Sequence, residues 1–184
     1  MSILLLGLDP GFANVGWALV QLDDDAKETI VDMGLIETEK SSKKQNVLAS
    51  NDNYRRAREI SRAIRLLKPR PQAVCAEAMS FPRNASAAAK VAMTWGVVAD
   101  YCEAENIAML MASPKELKRA VCSDATASKT QIQEALRGRF GARPVELLKA
   151  AGVPPSSQEH PYDALAAVVA CLHSETLNLL RRAS

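Results

Sequence analysis

An apolar run from Ser2 to Leu8 ends in the acid Asp9, turns at Pro10-Gly11 and gives way to a second apolar run from Val15 to Leu22. Asp, Pro and Gly each favour a turn for a separate backbone reason, so the two runs read as strands folded against each other. A carboxylate at the end of a buried strand is then held rigidly at the lip of a sheet. That placement suits a metal ion or a phosphate. An Asp-Pro-Gly turn with no further role is the plainer reading, and the rest of the chain decides between them.

The chain has 184 residues, 48% of them hydrophobic, enough for one domain spanning 1–184 with a substantial core. Its first apolar run lacks a basic flank and is too short for a signal peptide or a membrane span, which points to the cytoplasm. Cys75, Cys102, Cys122 and Cys171 stand far apart without paired spacing, and read as reduced thiols rather than a zinc site. The net charge is only +2, yet it is segregated. Seven acids and one lysine lie between Asp23 and Glu39. Seven bases and one acid lie between Arg55 and Arg70, and seven more bases between Lys115 and Arg143. Any one such block is ordinarily a solvated helix face, but two in one domain suit a polyanionic partner.

Ser2–Asp9, Val15–Leu22 and Thr29–Thr38 read as an antiparallel meander, followed by a polar surface loop to Asn53. Ala57, Ile60, Ile64 and Leu67 keep helical spacing until Pro69 and Pro71. Ala73–Ala76 is a short buried strand that ends at a second acid, Glu77. Asn84 caps a long helix running through Glu105, and Ile107–Met111 forms a further strand. Helices are expected over Lys115–Val121 and Ser128–Phe140, with one helical turn near Val145–Ala150. A last helix is expected from Pro161 to Leu180, burying Leu165, Val168, Val169, Leu172, Thr176 and Leu179 on one face. The order predicts an α/β fold: a mixed five-stranded sheet, three antiparallel strands then two parallel additions, with helices on both faces. Asp9 and Glu77 then end neighbouring strands. His160 and Asp163, three residues apart at the start of the last helix, can share a face.

With Asp9, Glu77, His160 and Asp163 in view, nearly the whole chain resembles the RuvC-type Holliday-junction resolvases, which have a ribonuclease-H-like fold. Leu8-Asp9-Pro10-Gly11 with Val15-Gly16-Trp17-Ala18 is similar to that family's first strand, turn and second strand. Glu77 matches its second acid, and Asn84 through Lys90 to Gly96 keeps its spacing. Ala127-Ser128-Lys129 and His160-Pro161-Tyr162-Asp163-Ala164-Leu165-Ala166 match its later motifs, where Asp or His stands at the position of His160. Two departures mark a divergent member, of the kind a phage could carry. The aromatic expected three positions after the second acid is replaced by Ser80, with Phe81 one later. The glycine-rich turn before Ser128 is replaced by Val121–Thr126.

The resemblance implies a metal-dependent endodeoxyribonuclease that resolves four-way junctions by paired nicks. Phosphodiester hydrolysis needs a deprotonated water and stabilisation of charge on phosphate and leaving oxygen, which two Mg²⁺ ions (or Mn²⁺) supply through hard oxygen ligands. Asp9 is the candidate bridging ligand, with Glu77 and Asp163 completing separate ions. His160 either binds the second ion or orients the water and relays its proton. The resemblance brings Lys129 and Lys118 toward the scissile phosphate or the DNA backbone, with Arg83, Asn84 and Phe81 as further DNA contacts. His173, inside the last helix, reads as structural. It also implies a homodimer through the helix after Asn84, where Ala85, Ala88, Ala92, Gly96 and Ala99 leave room for a second helix. A same-fold nuclease acting on forks or flaps is the alternative. An actin-like phosphotransferase needs a second subdomain and phosphate loop that 184 residues with 8 glycines do not supply. A non-catalytic junction binder would have no use for the acids.

Overall fold

The computed structural model describes residues 2–79 and 83–183. β1 (Ile3–Pro10), β2 (Asn14–Leu22) and β3 (Glu28–Glu37) form the expected antiparallel meander, and β4 (Ala73–Glu77) and β5 (Ala108–Ala112) add in parallel. The sheet order is β3-β2-β1-β4-β5, so the strand carrying Asp9 is central. Parallel pairing runs from Leu5↔Ala73 to Leu8↔Ala76. Asp9 and Glu77 are the next residues along, one on each of the two neighbouring strands.

Strand alternation divides the core. Leu4, Leu6, Leu8, Leu19, Val74 and Ala76 face one side, against Ile60 and Ile64 of α1 (Ala49–Leu66) and Val98, Tyr101 and Cys102 of α2 (Ala85–Glu105). Ile3, Leu5, Ala18, Val20 and Cys75 face the other, against α6 (Glu159–Cys171). On that second side lie α3 (Pro114–Cys122), α4 (Lys129–Phe140) and α5 (Arg143–Ala150), which bury Leu117, Ile132, Leu136 and Leu148. Ser113 and Ser128 cap α3 and α4, each with a reciprocal bond from the residue three later, and so fix where those helices begin.

α6 is buried at nine of its 13 positions. It is seated by two glycines: a Cβ on Gly7 would lie 2.1 Å from the Ala164 carbonyl oxygen, and one on Gly16 would lie 2.0 Å from that of His160. Only a residue without a side chain lets the helix backbone come this close.

Three expectations are corrected. The last helix is two, α6 and α7 (Glu175–Ala183), meeting at 75°. Ser174 Oγ accepts the Leu177 amide at 3.2 Å and restarts the helix. After the bend Leu177 is buried and Leu179 is 64% exposed, so the predicted single face ends at Leu172. The turn near Val145 is a full helix opened by Pro144, and α1 starts four residues before Asn53. Cys75, Cys102 and Cys171 are buried, and Cys122 is partly exposed; all are free thiols. No single helix among the described residues is long and apolar enough to cross a membrane.

Candidate active site

The turn after Asp9 is gripped from several sides. Gly11 donates its amide to the Asp9 carbonyl at 2.9 Å, and Thr38 donates its amide to Ala13 at 2.8 Å. The Thr38 hydroxyl donates to the Phe12 carbonyl at 2.7 Å, while the buried Thr94 hydroxyl lies 3.3 Å from that of Gly11. Arg56, only 3% exposed, stacks 4.4 Å over the Phe12 ring and donates to Thr38 Oγ1 at 3.0 Å. Asp9 therefore projects from a fixed strand end.

Around it the fold assembles an open cleft of about 380 Å³, lined by Asp9, Glu77, Lys118, Lys129, His160 and Asp163 together with Pro114, Leu117 and Ile132. Six predicted site residues from five elements thus meet in one place. A larger concavity of about 610 Å³, between residues 39–47 and α1, shares none of them.

The electrostatics are those of crowded carboxylates. Burial, then the charges of Asp9 and Asp163, push Glu77 up to about 7. Burial, then the charge of Asp9, push Asp163 up to about 6. Asp9 is the charged neighbour that weighs most on each of the other two. Nδ1 of His160 lies 2.7 Å from Asp9 Oδ2, and this bond raises the imidazole above its ordinary range against the opposing effect of burial. The Lys129 ammonium, though partly desolvated, is raised by its 2.7 Å bond to Glu159 and its proximity to Asp163, 3.7 Å away.

Among the described residues no three His, Cys, Asp or Glu side chains converge to cage a metal unaided. The three carboxylates instead line one open cleft, with room for water and phosphate beside them. That pattern fits Mg²⁺, which usually takes one or two carboxylates and completes its shell with water and phosphate.

Two residues here escaped the sequence reading. Glu159 neutralises Lys129, and Asn14 places Nδ2 3.3 Å from His160 Nε2. The signal for Asn14 lay in strand period two: it shares a face with Gly16, the residue against which α6 rests. Among the proposed DNA contacts, the Asn84 side-chain Oδ1 accepts the Ala87 amide at 3.1 Å as the cap of α2. Arg83 is exposed beside it and does not line the cleft. Phe81 lies outside the described residues. The first basic block is largely used within the fold: Arg56 is buried, Arg55 pairs with Asp52 and Glu59, and Arg65 and Arg70 pair with Asp100 and Glu105.

A mixed sheet of this order, with helices on both faces and acids ending its two central parallel strands, defines a ribonuclease-H-like α/β protein. The family model described as crossover junction endodeoxyribonuclease RuvC matches residues 5–140, and the chain belongs to that family. The chain is 28% identical over 174 residues to the RuvC of Prochlorococcus marinus, covering 95% of this chain and 99% of that one. Its fold is similar to that of Thermus thermophilus RuvC in complex with a Holliday junction substrate (TM-score 0.63, 22% identity, 92% of each chain). It is also similar to the yeast mitochondrial Holliday junction resolvase Ydc2 (TM-score 0.65, 14% identity, 91% of this chain and 77% of that one). His160 and Asp163 lie beyond the family-model match, and it is the fold that brings them to the acids within it.

Proposed function

We propose that this chain is a Mg²⁺-dependent endonuclease that nicks four-way DNA junctions, one strand per subunit of a homodimer. The observation that carries the reading is that one cleft gathers Asp9, Glu77, His160 and Asp163 together with Lys118 and Lys129. Membership of the RuvC family supplies the substrate class. Asp9, Glu77 and Asp163 would hold the ions, which would supply Lewis-acid stabilisation of the phosphate and acidify the attacking water. The protein groups do the rest. The fixed turn sets the Asp9 carboxylate. His160 engages Asp9 through Nδ1 and Asn14 through Nε2, which favours orientation of Asp9 over ligation of an ion. Lys129 stabilises negative charge developing on the phosphate as it exchanges Glu159 for the substrate. Lys118 holds the backbone.

The dimer reading is supported by α2. Ala85, Ala92, Gly96 and Ala99 are exposed, and a Cβ on Gly96 would meet nothing within 4 Å. A helix this small-sided leaves room for its two-fold copy.

The test is competition among a four-way junction, a fork, a flap and linear duplex at fixed salt, with Mg²⁺ and with excess chelator. Preferred, paired nicking of the junction that stops in chelator is the expected result. Preference for forks or flaps would transfer the assignment to that branch of the fold, and cutting in chelator would end the metal reading.

A further inference from the structure

We propose that Asn14 is a positioning residue of this site: its side-chain amide holds the far nitrogen of His160, so that the near nitrogen stays on Asp9. The inference rests on the nuclease reading only for its catalytic consequence. The geometry is independent of it.

His160 is held in a line of three side chains, Asn14 Nδ2 to Nε2 at 3.3 Å and Nδ1 to Asp9 Oδ2 at 2.7 Å. Asn14 opens β2, in antiparallel register two residues from Gly16, which is itself the partner of Asp9. Side chains two apart on a strand share a face. The contact that seats α6 on Gly16 therefore also sets the His160 ring between the side chains of Asn14 and Asp9. The ring is half-buried, with 23% of the side chain exposed, so water contacts only part of it.

The chemistry selects an amide. In the neutral ring, with Nδ1–H donated to the carboxylate, Nε2 accepts the amide N–H; in the imidazolium Nε2–H donates, and the same amide can turn its oxygen to accept it, with Glu159 Oε1 3.9 Å away. Asn carries both a donor and an acceptor on a short, uncharged side chain. An acid at this position would add a further negative charge beside Asp9, and an aliphatic residue would leave Nε2 without a protein donor. A histidine that orients a carboxylate needs its other nitrogen fixed, as outer-shell partners fix the rings of ligating histidines.

The experiment compares wild type with Asn14→Leu, which keeps the shape and removes the donor. Expected is a fall in kcat for junction nicking of roughly 10–100-fold with the junction Kd unchanged. Expected too, in the metal-free protein at alkaline pH, is a displaced Nε2 nitrogen resonance of His160, assigned with His173→Gln since the chain has 2 histidines. If Asn14→Leu does not fold, Asn14→Ala carries both expectations. Wild-type kcat in the folded variant, or an unmoved Nε2 resonance, overturns the proposal. A wild-type protein that cuts no junction while the resonance still moves in the variant would overturn the nuclease reading and leave the Asn14–His160 pairing standing.

Discussion

Asp9, Glu77 and Asp163 are three carboxylates brought to one cleft, and under the proposed function each makes a separable prediction. Asp9→Asn, Glu77→Gln and Asp163→Asn remove a charge without changing shape, so each should lower junction cleavage at least ~100-fold while leaving junction affinity in a gel-shift assay near wild type. The pH dependence has a definite sign. Glu77 holds its proton more tightly in the folded protein, up to about 7, than the usual carboxylate value near 4.3. The metal-free fold therefore loses stability as pH rises from about 4.3 to about 7, and the loss is constant above that. Glu77→Gln escapes this loss. Because Glu77 is partly exposed, the gain is on the order of 1–2 kcal/mol after screening by solvent, at ~2–4 °C of melting temperature per kcal/mol. Melting curves in chelator at pH 8 should show the variant above wild type, converging at pH 4. Addition of Mg²⁺ should raise wild type toward it. The acids themselves were legible in the sequence because two of them end apolar runs and the third opens a helix at a recognisable motif. Asn14 and Glu159 were not, because an amide opening a strand and an acid opening a helix are ordinary until their partners, 146 and 30 residues away, are known.

The elements matter through how closely they are stacked. At Gly16 the backbone of α6 occupies the space of a Cβ. Gly16→Ala must push the helix off β2, at a cost of about 1–3 kcal/mol for an overpacked contact. It should depress cleavage more than junction binding, because the displaced residues are His160 and Asp163 rather than the lysines. Thermal unfolding with paired cleavage and binding assays reads this out. On α2 the opposite holds: Ala92 is exposed, so Ala92→Arg should leave the circular dichroism spectrum native while the proposed dimer gives way to monomers by light scattering, with a melting temperature lowered only by the lost association. A mass unchanged by the substitution would place the interface elsewhere. Strand order and the capped helices could be read from apolar period and from Ser113 and Ser128. The bend between α6 and α7 could not be read from periodicity, because Leu165 to Leu179 keeps helical spacing through it. The informative residue was Ser174, a helix cap in the middle of an apparently continuous pattern.

Across the whole molecule, net charge says little and placement says more. The arginines in and just after α1 look like a nucleic-acid surface in sequence, yet Arg55, Arg56, Arg65 and Arg70 are held by the fold's own acids and carbonyls. Lys118 lines the cleft, and the proposed function sets it against phosphate. Titrating junction affinity against salt should therefore separate them. Lys118→Ala should reduce the slope of log affinity against log salt by about 0.9, the contribution of one phosphate contact on duplex DNA. Arg65→Ala should leave the slope unchanged and lower the melting temperature instead, since its partners are Asp100 and Glu105.

The seating of α6 on Gly7 and Gly16 also bears on synthesis. The strands bearing Asp9 and Glu77 leave the ribosome well before the helix bearing Asp163, and the face they present to that helix is apolar and unfilled until it arrives. A nascent or prematurely terminated chain thus carries two of the three carboxylates over an open core, with neither His160 to orient Asp9 nor a partner for Lys129. Completion of the cleft and closure of this side of the core therefore depend on the same helix.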